Sequence, residues 1–101
     1  MYKRQVEYNR IIQADAQLFG AVVVDVNSLL KDVAQNGYKV GNKRLTVAFL
    51  GGIFSLDGIH PTNTGYAIMA NETIKTMNRL LDTQIPPVSV VQVAKTDPLV
   101  P

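Results

Sequence analysis

The first quarter of the chain has an alternation of apolar and polar residues that predicts a helix followed by a strand. Apolar residues recur at helical spacing over residues 2–19, and Gly20 follows at a position suited to end the helix. Residues 21–26 (AVVVDV) form a short run rich in β-branched valine, which is typical of a parallel strand covered on both faces. One face of the helix should be buried, and its apolar positions are Tyr8, Ile11, Ile12, Leu18 and Phe19.

The middle of the chain predicts two more helices, separated by a less regular stretch. Residues 28–36 carry an apolar stripe, and Asp25 before them either borders a site or, as we favour, hydrogen-bonds the following loop. Residues 45–50 (LTVAFL) fit a strand or an extended segment. The next helix should begin after a cap within residues 62–64 and end near Leu81. The expected buried stripe of this helix is Tyr66, Ala70, Ile74, Met77 and Leu81.

The pattern changes after Asp82. Two prolines at 86–87 end the helical region, and residues 88–94 form a β-prone run. Alternating valines in this run are compatible with a strand added to a sheet edge or with a segment lying across the body. We therefore divide the chain into residues 1–82, one domain segment, and residues 83–101, a proline-punctuated tail or linker.

The composition is that of a globular protein and excludes several functional classes. Of the 101 residues, 47% are hydrophobic and 18% charged, and no apolar run approaches the ~20 residues of a transmembrane segment. The net charge of +2 is scattered and the tyrosines are not grouped, so we expect no nucleic-acid partner. One histidine and no cysteine leave too few ligands for a zinc site. The absence of cysteine does not assign a compartment, so the localisation stays open.

The only histidine follows an aspartate by three residues in a turn-forming segment. A basic imidazole needs an acceptor on one nitrogen to leave the other available, and Asp57 is close enough in sequence to be that acceptor for His60. Gly58 permits a sharp turn between them, and Pro61 disfavours helix at His60. The same residues also suit a purely structural turn. A lone histidine is more often structural than catalytic.

The neighbouring residues distinguish these alternatives by a resemblance. The block Asp57-Gly58-Ile59-His60-Pro61-Thr62, followed by Gly65 and Tyr66, resembles the last sequence block of the SGNH (GDSL-like) esterase and lipase family. The likeness extends over roughly residues 1–80. It implies the C-terminal part of a three-layer α/β/α, flavodoxin-like SGNH-hydrolase fold, incomplete in this chain. It also implies ester hydrolysis through a serine nucleophile, with His60 as base, Asp57 as its partner, no cofactor and no metal.

Other parts of the family pattern are absent from the sequence. There is no Gly-Asp-Ser nucleophile block and no Gly-x-Asn-Asp block, and 101 residues are about half of the ~200 that a complete domain of this kind needs. None of Ser28, Ser55 and Ser89 lies at a strand-to-helix turn suited to a nucleophile.

Two functional hypotheses remain at this point. In the first, the serine and the oxyanion donors lie outside this chain, which is then inactive alone. Its expected partners are an ester substrate, lipid or small acyl, and either the missing N-terminal part of the domain or a second copy of the chain. In the alternative, the chain is a non-catalytic remnant or interaction module.

Overall fold

The computed structural model describes residues 2–101 and shows a mainly helical protein. Within this range there are four helices and one two-stranded antiparallel sheet. None of the helices in the described part of the chain has both the length and the apolar composition needed to cross a membrane. The elements, in chain order, are α1 (Tyr2–Phe19), α2 (Val26–Asn36), β1 (Tyr38–Val40), β2 (Lys43–Leu45), α3 (Asn63–Leu80) and α4 (Val90–Thr96).

The prediction of a three-layer α/β/α fold is wrong for this chain. The expected core strand is not formed, because residues 21–25 have no regular structure and α2 already begins at Val26. The only ladder within residues 2–101 pairs β1 with β2, Tyr38 lying opposite Leu45. A strand is stable when a neighbouring strand satisfies its backbone N–H and C=O groups. No such neighbour lies beside residues 21–25 in the described structure, so the β-branched run remains irregular and half-buried.

Helix α1 has the predicted span, but the expectation of a buried face is wrong. Phe19 is 82% exposed, and the other apolar residues of the predicted stripe are exposed as well. An amphipathic helix buries its stripe only when another element packs against it. In the described part of the chain, the main contacts between elements join α3 with α4, β1 with β2, α2 with α3 and α4 with β1, and α1 is not among them.

A small core lies between α2, the hairpin and α3. Helix α3 ends at Leu80, close to the predicted end, but its predicted stripe is only partly covered. Ala70, Ile74 and Met77 are half-buried, whereas Tyr66 and Leu81 are about half exposed, because the positions of α2 and α4 decide which face is covered. The central buried residues are Val33, Val40, Leu45, Ile53 and Ile68.

The segment predicted to be a tail or linker packs against the body, and part of it is a helix. Helix α4 begins after Ser89, whose hydroxyl accepts a hydrogen bond from the Gln92 N–H. The side chain of Asn71 in α3 bonds both the N–H and the C=O of Val88, at 2.7 and 2.8 Å. The two alternatives for residues 88–94 were a strand at a sheet edge and a segment lying across the body, and the structure shows the second. The domain division after residue 82 stays a prediction.

The Asp97 carboxylate joins this segment to the beginning of α3. It is 6% exposed, and its Oδ2 accepts hydrogen bonds from the backbone N–H and the hydroxyl of Thr64, at 2.9 and 2.8 Å. Burial raises the pKa of Asp97, but the bonds from Thr64 and from the Leu99 N–H outweigh it, so the pKa is lowered. An ionised carboxylate is also favourable beside the positive end of a helix.

Candidate active-site loop

Residues 53–62 form a closed surface loop between the core and α3, here called the Asp–His loop. Hydrogen bonds join its two arms at the base: the Thr62 N–H donates to the Ile53 carbonyl at 2.9 Å, and the Ser55 N–H donates to the His60 carbonyl at 2.8 Å. Closing a loop by backbone bonds restricts the conformations available to the residues at its tip. The position of the tip is therefore determined by the core below it.

Thr62 fastens the base of this loop to α3. Its buried hydroxyl donates to the Gly52 carbonyl at 2.7 Å and accepts from the Gly65 N–H at 2.9 Å, as an N-cap does. A Cβ at Gly65 would collide with the Ile53 carbonyl oxygen. The backbone of Ile53 therefore approaches Gly65 closely, which explains why a side chain is excluded there.

The loop brings the two predicted site residues together. Asp57 Oδ2 lies 2.6 Å from His60 Nδ1. The other carboxylate oxygen, Oδ1, accepts from the backbone N–H groups of Ile59 and His60 at 2.8 and 2.9 Å and from the Ser55 hydroxyl at 2.8 Å. Gly58 has φ +70°, a backbone conformation that makes this tight turn possible. The carboxylate is thus held at both oxygens.

These contacts keep Asp57 ionised. The hydrogen bond from the His60 ring, followed by those from the Ile59 and His60 N–H groups and the Ser55 hydroxyl, holds the pKa of Asp57 well below its usual range. An anionic acceptor at Nδ1 favours the imidazole tautomer with its proton on Nδ1. Within residues 2–101 no hydrogen bond involves Nε2. Nε2 is therefore the nitrogen available to accept a proton.

The pair lies on an open surface. The His60 side chain is 71% exposed and that of Asp57 is 47% exposed. Four clefts of the described structure are lined by other residues. Next to the pair, Leu56 and Ile59 also expose apolar side chains, Ile59 by 74%. Because enzyme sites are normally concave, a complete site at this pair requires further polypeptide above it.

The serine hydroxyls in the described residues bond to partners other than the His60 ring, and that of Ser55 donates to Asp57. Ser28 donates its hydroxyl to Asp25 at 2.7 Å, and Ser89 caps α4. Asp25 is the N-cap of α2, accepting from the Ser28 N–H at 3.0 Å, so it bonds the first turn of a helix and not the loop that was expected. In the described residues, no group of three His, Asp or Glu side chains could hold a metal ion.

Two hydrogen-bonding side chains, those of Ser55 and Asp97, were not predicted from the sequence. The Ser55 hydroxyl contacts Asp57, and a serine two residues before an aspartate is a local signal that was available. Asp97 bonds Thr64 from 33 positions away, and no local pattern indicates such a contact.

The lowered pKa of Asp57 predicts an unusual acid titration of the loop. A carboxylate whose native pKa lies below its unfolded value, about 4, stabilises the fold above that value and loses this contribution as the pH falls through the native pKa. In NMR titrations the amide proton shifts of Ile59 and His60 should report no Asp57 protonation at pH 4, and should change only in stronger acid. Asp57→Asn should remove the acid change. A carboxylate midpoint near pH 4 at these amides would contradict the expectation.

The arrangement has a defined chemical capacity. An imidazole whose Nδ1–H is bonded to a carboxylate can take a proton at Nε2 from a hydroxyl and later return it to a leaving group. The structure shows such a pair at hydrogen-bond distance, and in residues 2–101 no serine hydroxyl bonds to the His60 ring. No family model, no curated protein sequence and no solved structure matches this chain.

Proposed function

We propose that this chain supplies the Asp–His pair of a serine ester hydrolase, whose nucleophile and oxyanion donors lie outside the chain. The observation that carries the proposal is the 2.6 Å contact between Asp57 Oδ2 and His60 Nδ1, with the carboxylate held in place by three further donors. The choice of ester chemistry comes from the resemblance of residues 57–66 to the last block of SGNH esterases and lipases. Nothing in the proposal requires the three-layer fold.

The two residues have separate roles in the proposed reaction. His60 Nε2 takes the proton of the incoming serine hydroxyl as the serine oxygen bonds to the ester carbonyl carbon. The imidazolium then returns this proton to the alcohol that leaves. Asp57 stays ionised throughout and stabilises the imidazolium through Nδ1. The exposure of His60 leaves room for a serine-bearing segment to reach Nε2.

The surroundings of the pair favour an ester with an apolar part. Leu56 and Ile59 flank Asp57 and His60 in the loop, and both expose most of their side chains. Covering these side chains with an acyl chain or with apolar residues of the serine-bearing segment removes hydrocarbon surface from water. We therefore propose lipid or small acyl esters as the substrate class.

Labelling with a fluorophosphonate tests the proposal. An activated serine attacks the phosphorus, an O–P bond forms, and fluoride leaves while the base takes the serine proton. The tagged full chain should be purified from its source cells without denaturation and treated with a biotinylated fluorophosphonate. We expect label on a serine of an associated polypeptide or of a longer product of the same gene, and loss of this label in His60→Ala.

A matched substitution controls for general damage. Asp82→Asn changes an exposed carboxylate at a positive-φ position that asparagine tolerates, and it should leave the labelling unchanged. Labelling of the same serine at the wild-type rate in His60→Ala contradicts the role of His60. The absence of any labelled serine in the wild-type preparation contradicts the proposed function.

A second candidate, a non-catalytic interaction module, is favoured by a different observation. Helix α1 exposes apolar side chains along its length, including Leu18 and Phe19, and the Asp–His pair is not enclosed. Large exposed apolar surfaces in proteins commonly mark interaction sites. This candidate predicts no His60-dependent labelling, so the fluorophosphonate experiment separates the two functions.

A further inference from the structure

Ser55 contacts both Asp57 and His60, and it lies on the arm of the Asp–His loop that faces His60. Its hydroxyl donates to Asp57 Oδ1, and its backbone N–H donates to the His60 carbonyl. We propose that Ser55 is a positioning residue, whose hydroxyl orients the Asp57 carboxylate toward Nδ1 and thereby selects the imidazole tautomer. The catalytic meaning of this role rests on the proposed function, whereas the orientation itself is a property of the loop.

Asp57 Oδ1 accepts three hydrogen bonds, and the one from the Ser55 hydroxyl differs in origin from the other two. Two of the donors to Oδ1 are the N–H groups of Ile59 and His60, which belong to the same turn as Asp57. Among residues 2–101, Ser55 contributes the only side-chain donor to Oδ1. Three donors occupy Oδ1 and leave Oδ2 for the His60 ring. Without the Ser55 hydroxyl, the Asp57 carboxylate loses this side-chain donor, which limits the rotation of the carboxylate.

The backbone contacts of Ser55 allow the hydroxyl to be tested separately. Its N–H donates to His60 and its C=O accepts from the Gly58 N–H at 3.0 Å, and an alanine keeps both groups. Ser55 is half-buried, so removing one oxygen creates little cavity. Ser55→Ala should therefore preserve the loop while deleting one bond to Asp57.

The direction of the hydroxyl bond distinguishes this role from that of a nucleophile. A nucleophilic serine gives its proton to the base, and so its oxygen lies within hydrogen-bond distance of the imidazole. The Ser55 hydroxyl instead donates to the Asp57 carboxylate, and the described structure has no bond between Ser55 Oγ and the His60 ring. Ser55 therefore acts on the imidazole only through Asp57.

The tautomer of His60 can be measured directly on the chain. Because the sequence contains one histidine, long-range ¹H–¹⁵N correlation of ¹⁵N-labelled protein gives a single pair of ring nitrogens. Spectra at a pH where the ring is neutral give the ratio of the Nδ1–H to the Nε2–H form. We expect the Nδ1–H form to predominate in the wild type, and Ser55→Ala to lower the ratio about threefold, within the range of one net hydrogen bond.

Two further variants decide whether the hydroxyl is responsible. Ser55→Thr retains a hydroxyl and should restore the ratio toward that of the wild type. Ser28→Ala is the matched control, because Ser28 donates to Asp25 Oδ2 in the same way but in a different part of the chain. It should leave the His60 ratio unchanged.

The outcomes separate this inference from the proposed function. An unchanged ratio in Ser55→Ala, an equal loss in Ser55→Thr, or an equal loss in Ser28→Ala would overturn the positioning role. A selective loss in Ser55→Ala supports it. The measurement needs neither a serine nucleophile nor a substrate, so a failure of fluorophosphonate labelling leaves the NMR result interpretable.

Discussion

Replacing Asp57 with asparagine should slow the His60-dependent fluorophosphonate labelling by about 10³-fold or more, as loss of the triad aspartate does in serine hydrolases. The amide is neutral, so it stabilises an imidazolium less well than the carboxylate does. Its NH₂ group can also donate to Nδ1, which favours the tautomer with the proton on Nε2. That tautomer cannot accept the serine proton at Nε2.

The effect of Asp57→Asn can be measured in two ways, once on the proposed hydrolase and once on the chain alone. Initial rates of labelling give the first, with Asp82→Asn as the control for loss of an exposed carboxylate. The ¹⁵N tautomer ratio of His60 gives the second and should move toward the Nε2–H form. A labelling rate within about threefold of the wild type would contradict the role of Asp57, because the expected loss is several hundred times larger.

Replacing Asp97 with alanine should lower the free energy of unfolding by about 2–4 kcal/mol. The substitution leaves the N–H and the hydroxyl of Thr64 without an acceptor in a buried location, where each unsatisfied group costs about 1–3 kcal/mol. It also removes a negative charge from the beginning of α3. Urea unfolding at neutral pH measures the change.

Two variants test the cause of the Asp97 effect. Asp97→Asn keeps an acceptor oxygen for Thr64 but loses the charge, and so its loss should be smaller than that of alanine. Asp32→Ala is the control, because Asp32 is exposed and accepts a hydrogen bond only from the exposed side-chain amide of Asn36 in the described residues. The control should change the stability by less than about 0.5 kcal/mol. A loss below about 1 kcal/mol in Asp97→Ala would show that Thr64 finds other partners.

The local part of the site was predictable because its geometry depends on neighbours in sequence. Gly58 and Pro61 restrict the backbone between and after the two residues, and three positions suffice to bring Asp57 against His60. The exposure of the pair was not predictable. Whether a loop lies in a cleft depends on elements from elsewhere in the chain or from a partner, and the loop sequence contains no information about them.

The valine-rich run shows why the fold class was mistaken. Residues 21–26 have the apolar, β-branched composition of a buried strand, but that composition reports a preference for burial rather than the presence of a partner strand. The same reasoning explains α1, whose periodicity predicted its length correctly while its apolar face stayed exposed. Periodicity identifies a face that can be buried, and only a packing element buries it.

The sequence by itself determined the local features of this protein: the spans of α1 and α3, the cap that begins α3 and the contact of Asp57 with His60. Each depends on interactions between residues near one another in the chain. Tertiary structure decided that α4 lies across the body, that Asp97 bonds Thr64 and which face of α3 is buried. These features depend on contacts between distant segments, whose free energy is gained only when the segments meet, and so no local pattern specifies them.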